Sequence, residues 1–212
     1  MNALWDNAAF LAEGLALSLG LTVIGVLGGL SLGTALAALR LFGGRAGGAV
    51  VDVYVFAFRA VPLILVIFWF YFMVPLILGR PVGAFASAVV AFVLFEAAYY
   101  SEIIRGGLAS VRPGQMNAAL ACGMSRVAAL RYVVLPQAFR AMMPVFLTQA
   151  IVLFQDTSLV FVVSLHDFLT AAAIVANRAG RLVETYLLAC LVYYLVCLAA
   201  TAAVAKMRRS AP

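Results

Sequence analysis

The hydrophobic positions follow neither the two-residue alternation of strands nor the single apolar stripe of soluble helices. They come in long apolar blocks separated by short polar stretches. A block crosses a bilayer as a helix when it holds about 20 apolar residues. Residues 14–39 carry no charge and form the first predicted span. Residues 60–78 form the second, and 82 to about 100 the third, with Glu96 inside it. Residues 141 to about 165 form the fourth, interrupted by the polar run Gln155, Asp156, Thr157 and Ser158; residues 187–205 form the fifth. The expected fold is all-α: one polytopic transmembrane domain over residues 1–212, with about five spans and a cytoplasmic loop at 101–140.

Composition sharpens this picture. The chain is 67% hydrophobic and 10% charged, with a mean hydropathy of +1.13, whereas a soluble domain is about half apolar and a quarter charged. The net charge of +6, almost all arginine, reports orientation here rather than a nucleic-acid partner, because basic residues gather at the cytoplasmic ends of spans. With the N-terminus outside, the inner segments hold Arg40, Arg45, Arg59, Arg105, Arg112, Arg126, Arg131, Arg140, Lys206, Arg208 and Arg209. The outer segments hold only Arg80, Arg178 and Arg181. Eleven basic residues against three predict a periplasmic N-terminus and a cytoplasmic C-terminus. The cysteines Cys122, Cys190 and Cys197 lack ligand spacing and are expected to pack as small apolar residues, with no metal site. The N-terminal stretch lacks the basic region of a cleaved signal peptide.

The stretch from Gly114 to Pro136 is the exception to the apolar pattern. Pro113-Gly114 predicts a turn, Gln115 to Cys122 a helix, Gly123 its C-cap, and Ser125 the N-cap of a second helix to about Val134. Pro136 disfavours helix at Leu135. Met116, Leu120, Met124 and Val127 offer an apolar face, and arginines the other. Two readings fit such a helix pair: a docking element for a partner protein, or an interfacial helix on anionic lipid.

Asn117-Ala118-Ala119, three residues, Gly123, nine residues, Val133, one residue, Leu135-Pro136 resembles the EAA loop of ABC importer permeases at every spacing. Asn117 stands for the family's Glu and Val133 for its Ile, so a salt bridge from position 117 is not expected, while the helix–glycine–helix geometry is. The resemblance implies a coupling segment that enters a groove of an ATPase, with Gly114, Gln115, Asn117, Ala118, Ala119, Gly123, Met124, Leu135 and Pro136 in contact. "FRAVPLILVIFWFY", "AYYSEIIRGGLASVRPGQ", "LPQAFRAMMP" and "DTSLV" resemble the polar amino acid branch of that family over nearly the whole chain. "FEAAYYSEIIR" and "IVLFQDTSLVFVVSLHDF" are similar to membrane subunits of glutamate/aspartate importers. The resemblance implies a type I importer permease in the bacterial inner membrane. Its expected partners are an ABC ATPase dimer, a homologous permease or a second copy of this chain, a periplasmic solute-binding protein, an amino acid substrate and lipid. ATP and magnesium belong to the ATPase; this chain carries no cofactor and no catalytic residue. The absence of a Gly-x4-Gly-Lys-Ser/Thr phosphate loop agrees.

Ionisable residues within spans are costly, and so are candidates for the substrate path. Glu96 either packs through a hydrogen bond or faces the path with Tyr99. Glu102 and Arg105 share a face three residues apart, as a structural ion pair or a gate contact. Asp156, with Gln155, Thr157 and Ser158, either caps a broken helix or meets the substrate. Arg59 is either an anchor at the cytoplasmic interface or a ligand for an acidic substrate. His166 reads as a surface or cap residue in the outer loop 164–186, where a binding protein is expected to dock. Gly25, Gly29 and Gly33 are spaced for close helix packing, within the subunit or against a partner permease.

Overall fold

The first apolar block folds as one 35-residue helix, α1 (Ala8–Phe42). In the computed structural model, which describes residues 7–209, it is followed by α2 (Gly44–Arg59) and α3 (Leu63–Leu78). The chain continues through α4 (Ala84–Ser110), α5 (Pro113–Ala121), α6 (Arg126–Val163), α7 (Phe168–Ala179) and α8 (Leu182–Arg209). No strand occurs among the described residues. α1, α4, α6 and α8 are each long and apolar enough to cross a membrane, and α2 with α3 makes a fifth, broken span bent by 99°.

That broken span departs from the sequence reading, which began the second span at residue 60 and placed Arg40, Arg45 and Arg59 in an inner segment between spans. Residues 44–59 instead form a helix that packs back along α1 and α4, burying Gly47, Val51 and Val55. Val51 and Val55 meet Ala98 of α4 and Leu36 of α1. Pro62 ends it: proline excludes helical geometry at the residue before it, and Pro62 itself is extended (φ −58°, ψ 138°) ahead of α3. Arg59 therefore stands at the elbow between α2 and α3, as the last residue of α2.

Two other prolines, Pro75 and Pro136, are passed by π turns, whereas Pro144 sits within regular helix. Trp69–Met73 widens α3 just before Pro75, and Leu130–Val134 widens α6 just before Pro136. A proline ring clashes with the carbonyl four residues back, and a wider turn relieves that clash. The expected helix stop at Leu135 consequently does not occur, and the second loop helix runs on into the fourth span.

α1 and α4 pack in parallel. A Cβ at Gly29 would lie 2.6 Å from the Glu96 Cβ, and one at Gly33 would lie 2.8 Å from the Tyr100 Cβ. One at Gly28 would lie 2.5 Å from a Val93 methyl. The small-residue stripe thus works inside the subunit, as one of the two readings had it. Gly29→Ala is expected to force α1 from α4 and cost about 1–3 kcal/mol. Gly20→Ala, with nothing within 4 Å, is expected to leave stability unchanged or raised. Thermal unfolding of the purified variants checks the pair.

Candidate functional site: a charged cavity at the elbow and the coupling segment

The candidate path residues fall into three separate places. Glu96 is fully buried between α1, α4 and α6, where Gln149 Nε2 donates to its Oε1 at 3.1 Å. It does not reach the surface of this chain. Gln155 and Ser158 line a cavity of about 430 Å³ with Leu169, Tyr186 and Tyr193.

Asp156 does not cap a broken helix. α6 passes through it into a 3₁₀ segment, Thr157–Val163, with no cap hydrogen bond from its side chain. The Thr157 and Ser158 hydroxyls donate back to the carbonyls of Phe154 (2.7 Å) and Gln155 (2.8 Å), so these two hydroxyls are satisfied within their own helix. The chain breaks instead at Ser164, whose φ is +60°. The cap is Asp167, whose carboxylate accepts from the Leu169 and Thr170 amides at 3.0 and 3.1 Å and from the Thr170 hydroxyl. Burial pushes the Asp167 carboxyl up from its ordinary range, against the pull of those donors. It starts α7, a helix where sequence had suggested only loop, packed on Leu11 of α1 and Ala189 of α8. His166 is exposed, edge-on to Phe10.

The third place gathers α1, α2 and α4. The Arg59 guanidinium lies 5.2 Å over the Tyr99 ring, and Tyr99 is near the middle of the 27-residue α4. Arg59 has no acid partner among the described residues. It faces a cavity of about 720 Å³ that also holds Arg40, Asp52, Glu102 and Arg105. Glu102 accepts from Arg105 at 3.0 and 2.8 Å, the pair that spacing suggested, and from Arg40 Nη1 at 2.5 Å. Arg40 Nη2 also pairs with Asp52. Sequence reasoning missed Arg40 and Asp52 because it assigned no helix to residues 40–59; the signal available was Val51 and Val55, four residues apart on one face with Asp52 beside them.

The stretch 101–140 is divided: α4 runs to Ser110, α6 starts at Arg126, and only 111–125 lies outside the long helices. Within it Gly123 takes φ +82°, and the Ser125 hydroxyl accepts from the Ala128 amide at 3.2 Å, as the cap pattern required. Ala119 is buried, and Gln137 Nε2 donates to Gln115 Oε1 at 3.2 Å, fastening α5 to the start of α6. Gly114, Asn117, Ala118 and Pro136 are exposed, and Met116, Leu120 and Met124 half-buried. Leu135 and Val127 are exposed too, at 41% and 75%.

Residues 25–208 match the family of inner membrane components of binding-protein-dependent transport systems. The chain belongs to this family. It is therefore an ABC permease, a multi-pass inner membrane subunit that works with an ATPase and is not itself an enzyme. The permease is 45% identical over 207 residues to the glutamate/aspartate import permease protein GltK of Escherichia coli O6:H1, covering 94% of this chain and 92% of that one. It is 34% identical over 192 residues to the arginine transport system permease protein ArtQ of Bacillus subtilis, covering 91% and 88%. The crystal structure of an amino acid ABC transporter with histidines superposes with a TM-score of 0.91 at 27% identity, covering 97% of this chain and 96% of that one. An inward-facing MetNI methionine ABC transporter gives 0.71 at 19% identity over 95% and 98%, a likeness of fold alone.

Proposed function

We propose that this permease carries glutamate and aspartate into the cell, by alternating access driven by ATP hydrolysis in a partner. The observation that carries the substrate is Arg59: a guanidinium with no acid partner among the described residues, at the elbow between α2 and α3, facing a cavity. An ionisable side chain between apolar helices is a candidate for function, and a guanidinium matches a carboxylate through two parallel hydrogen bonds. The identity to GltK supports an acidic amino acid. Tyr99 and Glu102 lie on the same route; Glu96, Gln155, Asp156, Thr157 and Ser158 lie apart from it and act on it through α4 and α6.

The coupling face is built from Gly114, Gln115, Asn117, Ala118, Ala119, Gly123, Met124, Leu135 and Pro136, and the ATPase dimer, loaded with ATP and magnesium, moves it. The second permease of the pair is a homologue or another copy of this chain. A periplasmic solute-binding protein delivers the amino acid to the outer face around α7. The N-terminus is periplasmic and the C-terminus cytoplasmic, since nine basic residues still fall on the inner side against three outside once Arg45 and Arg59 are counted within the broken span.

Reconstituted vesicles separate the energy sources. ATP in the lumen is expected to drive uptake, and a proton or sodium gradient without ATP to drive none. Uptake on a gradient alone contradicts the reading.

A further inference from the structure

The cavity below Arg59 has a feature that the import path alone does not require. Arg40 forks between two carboxylates held very differently. Glu102 is 18% exposed and is gripped from its other side by Arg105. Asp52 is 68% exposed, and its ion pair is with Arg40 alone. Exposed ion pairs are weak, because water competes for both members, so Asp52 is the replaceable ligand and Glu102 the fixed one. With three arginines against two acids, the cavity lining carries a net positive charge. Arg40 lies near the end of α1 and Arg59 at the far end of α2, so the two lie at different depths along one opening.

We propose that Arg40 is a second carboxylate site, open to the cytoplasm. An acidic amino acid on that side displaces Asp52 and holds the inward-open state, slowing further import. The site deepens the reading above, since it relies on the orientation given there. The physical basis is mass action: a ligand that binds one state preferentially retains it. The exchange costs little because one carboxylate replaces another on the same guanidinium, while Glu102 keeps α1 fastened to α4.

The complete transporter, with both permeases, ATPase and binding protein, is reconstituted with ATP in the lumen. Initial uptake is measured as lumenal aspartate is raised. The wild type is expected to slow. Asp52→Asn removes the competing carboxylate, and half-inhibition is expected at a lumenal aspartate concentration about two- to five-fold lower. A merely structural role for Asp52 predicts no gain in sensitivity. An unchanged or higher half-inhibiting concentration in Asp52→Asn overturns the proposal, as does a wild type indifferent to lumenal aspartate. The substrate reading is judged separately. If external aspartate is not carried, the same titration is run on whichever amino acid is, and it still tests the site. If aspartate is carried but lumenal aspartate has no effect, the site fails and the import reading stands.

Discussion

Replacing Gly123 with valine and Ala119 with leucine is expected to abolish coupled transport while leaving the permease inserted in the membrane. Gly123 sits at φ +82° with open space around it, so the cost of valine is backbone strain, about 1–3 kcal/mol for a branched residue forced left-handed. Ala119 is buried between α5 and the start of α6, and leucine there pushes the two apart. Both changes reshape the one exposed helix that joins α4 to α6, without touching the span interior. Substrate-stimulated ATP hydrolysis by the purified complex is expected to fall to the level of the ATPase alone, and uptake by tenfold or more, roughly the effect of about 1.4 kcal/mol lost from coupling. Gly106→Ala, at a position with nothing within 4 Å, serves as the matched control. Stimulated hydrolysis equal to wild type in the double variant contradicts the coupling role.

The second large effect concerns Arg59. Arg59→Gln is expected to lower the kcat/KM of aspartate uptake roughly 10- to 150-fold, the loss of one charged hydrogen-bond partner at about 1.5–3 kcal/mol. Arg59→Lys keeps the charge and loses the planar fork, so it is expected to fall between the two. Stability should move little, because the one contact at stake is the exposed stacking on Tyr99, worth about 0.5–1 kcal/mol. A profile in which both variants lose stability and uptake together makes Arg59 a structural residue.

The spans were legible because an apolar block of the right length has few alternatives in a bilayer. The glycine stripe of α1 and the caps at Gly123 and Ser125 were legible because each depends on a neighbour a few residues away. The elbow was not. Residues 44–59 carry Arg45, Asp52 and Arg59, and a hydropathy reading counts such charges against a span; of the three, Asp52 is held by its pairing with Arg40, which also binds Glu102. The polar run at Gln155 misled for the converse reason. Asp, Thr and Ser favour caps in general, but Thr157 and Ser158 turn their hydroxyls onto their own helix, and the cap that exists, Asp167, lies beyond them. Gly180 at φ +63° and Asp167 bracket α7, a start-and-stop pattern present in sequence but hidden by a polar flank.

Uptake of labelled glutamate and aspartate, with arginine, glutamine and histidine in parallel, in cells with and without this chain tests the central claim most directly. The account predicts that the two acidic amino acids alone lose transport when the chain is removed. Loss of a different amino acid, with glutamate and aspartate unaffected, contradicts it: the permease fold and its ATPase coupling would remain, and Arg59 would no longer be the ligand of an acidic substrate.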